Sequence, residues 1–394
     1  MCLPHDRTAP VTVFPPQEFA RRRAALQAGM ADRGQDALLL TSPADVFYVT
    51  GFLTRFWESP ARPWFVVLPR TGGPVAVIPD IGVDLMSTCR VAEIRSWPAP
   101  DPVDDGVTLL AGTLADLVPE TGAIGLPMGL ETSLRMPVAD FDRLCRALAP
   151  RRMVDATETV QRVREIKSEL EIDAIRAACA VADRAFGRVP DIVAGAGSLA
   201  VVFRRFQAAL LDEGADWVSY LAGGAGPDGY GNVIAPAGPA PLQPGDILML
   251  DTGAVKDGYF CDFDRNFAVG PPGDTARRAY DVLHATTEAA LAQFRPGMTA
   301  ADAHRVMVGA IRAAGGIPAG GRLGHGLGVT LTEWPSFTDR DRTELRAGMV
   351  LTIEPGVVSA EGRIMVQEEN IVLRADGPEL LSRRAPLQMV EIAP

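Results

Sequence analysis

Asp251-Thr-Gly-Ala254, which follows the apolar run Ile247–Leu250, and Gly258-Tyr-Phe-Cys-Asp-Phe-Asp-Arg-Asn-Phe267 decide how this chain is read. Asp262 in the second stretch lies eleven residues after Asp251, a spacing that predicts a hairpin with an acid on each arm. Further on come Gly324-His325-Gly326-Leu327-Gly328, then Thr352-Ile353-Glu354-Pro355-Gly356, then Glu368 opening the strand-like Glu369–Leu373. Taken singly these are weak signals, because an acid at a strand end is usually a solvated turn and a lone histidine is usually a hydrogen-bonded core residue. Together they form an oxygen-rich set with one imidazole, suited to Mn, Co, Fe or Zn. Glycine on both sides of His325 implies close backbone approach or a positive φ, which a merely structural histidine seldom needs.

Outward from this set, Val350–Ile353 and Ile371–Leu373 read as strands, and Thr275–Phe294 and Thr299–Ala314 as helices. The stretch Gly223–Pro241 reads as irregular, and a loop of that length is more often functional than slack. Towards the N-terminus, Glu18–Arg33 reads as a helix followed by short strands at Ala37–Thr41, Trp64–Leu68 and Val75–Ile78. The segment Glu158–Val189 has the apolar period of one long amphipathic connector. A chain of 394 residues exceeds one ordinary core, so two domains are expected, 1–158 and 159–394.

Acids outnumber bases, 49 against 38, for a net charge of −11, and the bases form no stripe suited to a phosphate backbone, so nucleic acid is not an expected partner. Apolar runs are too short for a membrane span, and Met1–Arg7 lacks the basic start and apolar core of a secretory signal. A cytoplasmic protein with no membrane partner is expected. Cys2, Cys89, Cys145, Cys179 and Cys261 have neither metal-finger spacing nor a disulfide-dense pattern, which suggests reduced thiols, with Cys261 a buried bystander beside Asp262.

At Asp251, Asp262, His325, Glu354 and Glu368 the sequence resembles the pita-bread metalloenzyme family of aminopeptidase P, prolidase, methionine aminopeptidase and the metal-free relative creatinase. The order and local motifs of these residues match the family's metal ligands. The likeness extends to Arg164-Glu-Ile-Lys-Ser-Glu-Leu-Glu-Ile172 and to Val46-Phe-Tyr-Val-Thr-Gly-Phe52, as in the aminopeptidase P and creatinase branch. It implies a two-domain α/β chain, with a creatinase/prolidase-like α/β domain before a pita-bread α+β catalytic domain. It further implies a homodimer and two divalent metal ions, Mn, Co, Fe or Zn, bound by those five residues. By the same resemblance a hydroxide between the metals is the nucleophile, and Glu354 doubles as general base.

The pattern breaks at the histidines. The chain has 4, His5, His284, His304 and His325, whereas the family's peptidases carry two more at the active site. Thr332, in Leu331-Thr-Glu-Trp-Pro335, stands at one of those positions, and the other falls in Asn232-Val-Ile-Ala-Pro236, at Val233. Each missing donor to a peptide oxyanion is typically worth about 3 kcal/mol. Asp264 stands where relatives usually have threonine; it could be a ligand, a base, or an ion-pair partner of Arg265 or another arginine. Glu333 is a further catalytic candidate.

Arg55, Trp57 and Arg62, within Gly51–Trp64, are candidate substrate residues, because in the resembling family this region reaches the partner subunit's site; aromatics and arginine suit a cationic or apolar group and a carboxylate. Core or interface packing would equally explain the tryptophans. Tyr220, Tyr230 and Trp334 are candidate pocket lining, with Trp217 beside them. The expected activity is metal-dependent hydrolysis of a small amide or dipeptide-like substrate, as in Xaa-Pro aminopeptidases and dipeptidases. The alternatives are a lyase of the dimethylsulfoniopropionate type, a creatinase or ectoine type of C–N hydrolase, and a pocket that has lost catalysis and serves recognition.

Overall fold

The computed structural model describes residues 14–59 and 63–393, and the chain divides into two compact units, Met1–Arg164 and Glu165–Pro394. In the first, helix Pro16–Asp32 starts on proline, whose missing N–H is harmless at a helix start. Its buried face carries Glu18, Phe19, Arg22, Leu26 and Met30, a four-residue repeat that forms one stripe. A charged pair survives on that stripe because Arg22 Nε donates to Glu18 Oε1 at 2.9 Å and Nη1 donates to the Tyr48 carbonyl at 3.2 Å.

The sheet of this unit runs Glu93–Trp97, Val75–Pro79, Phe65–Pro69, Ala37–Leu40, Ala123–Leu126, Arg152–Asp155, with parallel pairs at both ends and antiparallel pairs in the middle. Its middle strands are buried at every residue, the reason they read as unbroken apolar runs. Helices Val107–Leu117 and Val138–Leu148 bring Leu110, Leu114, Leu144 and Leu148 into one core with Leu39, Val67, Val77 and Ile124.

The connector expected as one helix is two, Thr157–Arg164 and Glu169–Gly187, the first ending one unit and the second lying in the other. The break is written in Ser168-Glu-Leu-Glu171: the Ser168 hydroxyl accepts from Glu171 N–H, and the Glu171 carboxylate accepts from Ser168 N–H. This reciprocal cap starts a helix rather than continuing one.

In the second unit, strand Asp246–Lys256 lies between antiparallel Trp217–Pro227 and Phe263–Val269, with Val390–Ile392 parallel to the latter at the edge. Asp251 is therefore mid-strand, not at the end of a short strand, and its Cα partner on the hairpin's other arm is Asp264. The stretch from Gly223 is likewise strand as far as Pro227. Its glycine is a close-approach position, where a Cβ on Gly223 would stand 2.1 Å from the Met249 carbonyl oxygen.

A second ribbon completes the frame. Val350–Ile353 pairs with Glu369–Arg374 in one sheet, and Gly356–Ala360 pairs with Arg363–Val366 in another. The ribbon thus changes sheets at Glu354-Pro355 on one strand and Gln367-Glu368 on the other. Helices Asp274–Gln293 and Ala300–Ala313 contribute Tyr280, Leu283 and Ile311 to a core with Ile247, Met249 and Met365. Among the described residues no helix is long and apolar enough to cross a membrane.

Candidate metal centre

The hairpin and the sheet-changing ribbon bring the acids together. Asp262 immediately precedes strand Phe263–Val269, and its peptide is clamped on both sides by one side chain: Asp262 N–H donates to Asn370 Oδ1 at 2.9 Å, and Asn370 Nδ2 donates to the Asp262 carbonyl. Its carboxylate accepts from the Tyr220 hydroxyl at 2.7 Å. His325 lies in the two-residue strand His325–Gly326, between Glu333–Ser336 and Val350–Ile353. The flanking glycines answer the expectation drawn from them. Gly324 has φ 136°, and a Cβ on Gly326 would stand 2.1 Å from the Trp334 carbonyl oxygen.

The imidazole is oriented from behind. His325 N–H donates to Thr352 Oγ1 at 3.1 Å, and His325 Nδ1 lies 2.8 Å from the Gly326 carbonyl, which can only accept, so Nδ1 carries a proton. In the neutral ring Nε2 then offers a lone pair, and it faces Asp262 Oδ2 at 3.2 Å. Two acceptors so placed call for a proton or a cation between them. Burial lowers the His325 pKa, but the Asp262 carboxylate beside it outweighs burial and the net shift is upward. Ligand atoms of Asp262, His325 and Glu368, all buried, lie within 4.8 Å of one another.

Two further oxygens lack donors. Asp251 Oδ1 and Glu368 Oε1 are buried without a hydrogen-bond partner. Burial first, then the neighbouring Asp262, push the carboxyls of Asp251 and Glu368 well above the usual range. Burial also raises Glu354, against the opposing pull of His325, and raises Asp264, with Asp251 adding to it. Such crowding of carboxylates is unstable without compensating positive charge. The Tyr220 phenol is held far above its ordinary value by burial and by Asp251 and Asp262.

Asp264 accepts from Glu368 N–H at 3.1 Å and forms no ion pair with Arg265. Arg265 instead donates to Glu369 Oε2 at 2.9 Å and to the Glu368 carbonyl at 2.8 Å, with its guanidinium over the Phe263 ring. Glu333 is committed elsewhere: its carboxylate pairs with Lys167 Nζ at 2.9 Å and accepts from Val329 N–H at 3.0 Å. Tyr230 is 1% exposed, donates to Asn266 Oδ1 at 3.1 Å and accepts from Val366 N–H at 2.6 Å, so it belongs to the core rather than to an open lining. Trp217 and Trp334 are partly buried on strands Trp217–Pro227 and Glu333–Ser336.

In the first unit, Trp57 and Trp64 are buried against Phe52, with the Arg135 guanidinium over the Trp57 ring, so Trp57 packs a core where an open recognition surface was one expectation. Arg55 is exposed and paired with Glu58. Arg62 lies outside the described residues, as do Cys2 and His5. Thr332 and Val233 are partly buried; His284 and His304 lie on the helices Asp274–Gln293 and Ala300–Ala313. Cys89, Cys145, Cys179 and Cys261 are free thiols, and burial raises the Cys261 pKa.

Sequence reasoning passed over Asn370, Thr352 and Lys167. A signal existed for the first two, since Asn370 is two residues beyond Glu368 and Thr352 two before Glu354, where strand alternation returns side chains to one face. Lys167 falls in the stretch Arg164–Ile172 quoted above, but nothing there points to its partner, which is distant in sequence.

Known proteins resemble this chain along nearly its whole length. Residues 173–375 match the model of metallopeptidase family M24, and residues 22–166 match the creatinase/prolidase N-terminal domain. The chain is 29% identical over 388 residues to a probable dipeptidase PepE of Mycobacterium tuberculosis, covering 96% of this chain and 98% of that protein. The crystal structure of dipeptidase PepE from Mycobacterium ulcerans superposes with a TM-score of 0.81 at 27% identity, over 97% of this chain and 100% of that one. A prolidase from Thermococcus sibiricus, at 24% identity, shares the fold with a TM-score of 0.83 over 95% of this chain and 99% of that one. With more than half its length matched by the M24 model and most of the remainder by the creatinase/prolidase N-terminal domain, the chain belongs to metallopeptidase family M24.

Proposed function

We propose that the protein is a metal-dependent hydrolase of the Xaa-Pro peptidase type, acting on a small amide or dipeptide-like substrate with two divalent metal ions. The observation that carries the reading is the buried meeting of Asp262, His325 and Glu368 ligand atoms within 4.8 Å, with the His325 Nε2 lone pair turned towards it. The unpartnered oxygens of Asp251 and Glu368 fit cations as well. Asp251, Asp262, His325, Glu354 and Glu368 would hold the ions, whose oxygen-rich donor set suits Mn, Co, Fe or Zn. Bound there, they would polarise the scissile carbonyl and acidify water.

The chain's own groups then have distinct tasks. Glu354, which keeps some exposure, would accept a proton from water and pass it to the leaving amine. Tyr220 steers the Asp262 carboxylate through its hydroxyl, and Asp264 orients Glu368 by accepting its backbone N–H. Thr332 and Val233 supply no imidazole, so a peptide oxyanion would have fewer donors than in the family's prolyl peptidases. The relatives' names, dipeptidase and Xaa-Pro dipeptidase, support hydrolysis over elimination.

The test is to load metal-stripped protein with Mn, Co, Fe or Zn and assay Gly-Pro, Ala-Pro and other dipeptides beside dimethylsulfoniopropionate and ectoine. Metal-dependent dipeptide cleavage is expected, with prolyl substrates slowed by about 10²-fold or more for want of imidazole donors. Elimination from dimethylsulfoniopropionate with no dipeptide cleavage would overturn the reading.

A further inference from the structure

The segment between His325 and Glu333 wraps around a buried ion pair. Lys167 Nζ and Glu333 Oε2 lie 2.9 Å apart, each side chain only 1% exposed. The other carboxylate oxygen, Glu333 Oε1, accepts from Val329 N–H at 3.0 Å and from Thr330 N–H at 3.3 Å. Gly328 passes so close that a Cβ there would meet this carboxylate at 2.8 Å. Lys167 is itself anchored, its N–H donating to the Gly348 carbonyl at 2.9 Å.

The outer side of the same loop faces the metal centre's frame. Leu331 and the Tyr220 ring converge over Gly253, two residues from Asp251: a Cβ on Gly253 would meet Leu331 Cδ1 at 2.8 Å and Tyr220 Cδ1 at 2.7 Å. Phe260 N–H, two residues before Asp262, donates to the Gly328 carbonyl at 3.0 Å. Residues 327–332 therefore form a wall beside Tyr220 and the aspartate hairpin, shaped from behind by a carboxylate that the sequence alone would assign to chemistry.

We propose that Lys167 and Glu333 are positioning residues, whose dry ion pair is the template that holds the 327–332 loop as the wall of the substrate site. A burial this complete strengthens the pair electrostatically and makes either partner alone unfavourable, so the loop has one well-defined arrangement. Neither Lys167 nor Glu333 is among the five residues that would hold the ions. Loss of the pair should therefore loosen substrate binding and leave metal binding in place. The kinetic part of this inference rests on the hydrolase reading; the structural part does not.

The experiment compares wild type with K167M, E333Q and the double variant K167M/E333M, all as full chains. Metal content, kcat and KM for the best dipeptide, and hydrogen exchange of peptides spanning 327–333 are measured. The single variants are expected to raise KM about tenfold or more, change kcat little, keep metal stoichiometry, and speed exchange at 327–333 but not at Val350–Ile353. The double variant, free of a lone buried charge, should recover thermal stability without recovering KM or loop protection. Unchanged exchange at 327–333, or a double variant with wild-type KM, would overturn the proposal. Should the wild type cleave no dipeptide, the hydrolase reading falls, and the exchange comparison alone decides whether the pair holds the loop.

Discussion

Asp262 shows how much of a functional residue lies behind its carboxylate. Its oxygens meet Tyr220 and face His325, while Asn370 grips its peptide from both sides. Replacing Asp262 with alanine is expected to abolish metal retention and activity together, read by elemental analysis of purified protein. The N370A variant keeps every carboxylate but frees the Asp262 backbone, and supporting residues of this kind are typically worth about 10–100-fold in metal affinity. Competition titration with a chelator measures it, and wild-type affinity in N370A would show that the clamp is dispensable. His325 was legible because glycines are conspicuous in a sequence. Asn370 was not, because an asparagine after two glutamates looks like any polar strand residue until Asp262 is brought against it.

Among the elements, helix Pro16–Asp32 carries a pH-sensitive pair on its buried stripe. Burial works against the Glu18 carboxylate, but hydrogen bonds from Arg21 and Arg22 outweigh it and bring its pKa down to about 2 from 4.5. Because the folded pKa lies below the unfolded one, the stabilisation is fully present above about pH 4.5 and is lost as pH falls through about 2. The E18Q variant is expected to lose roughly 3 kcal/mol at pH 7, where the fully buried Arg22 loses the charge of the Glu18 carboxylate. Urea unfolding of both proteins between pH 7 and pH 2 checks this, and the difference should shrink on acidification; a constant difference would refute the electrostatic account. The same scale explains the divided connector. Apolar periodicity continues across Arg164–Glu169, and only the Ser168–Glu171 cap reveals that a second helix begins there.

At the scale of the whole molecule, the crowded carboxylates make folding depend on what they bind. Protein stripped of metal should melt below the loaded form, since a ligand at 1,000 times its dissociation constant adds about 4 kcal/mol. Calorimetry with and without added Mn or Co measures the shift, and no shift with any of Mn, Co, Fe or Zn would remove the metal role. A homodimer is also proposed, on the resemblance and on the prevalence of two-fold assemblies. Light scattering at micromolar concentration should return the mass of two chains, and a fully active monomer would remove that expectation. Trp57 no longer argues for the dimer, because its ring is spent within its own unit.

In the sequence, an α/β part before a metallopeptidase-like part was legible, along with several of their strands and helices and, among the expected ligands, Asp262, His325 and Glu368, whose ligand atoms meet. Those features are local: apolar period sets the elements, and short motifs around Asp251, His325 and Glu354 mark where backbone must turn or approach closely. Which carboxylates remain without donors was decided only by tertiary structure, as was the commitment of Glu333 to Lys167 and of Tyr230 to Asn266 and Val366. A carboxylate's role depends on what lies within about 3 Å of it, and for Glu333 that neighbour is a lysine 166 positions earlier in the chain. No spacing rule reaches so far; the partner is chosen by the packing that buries both.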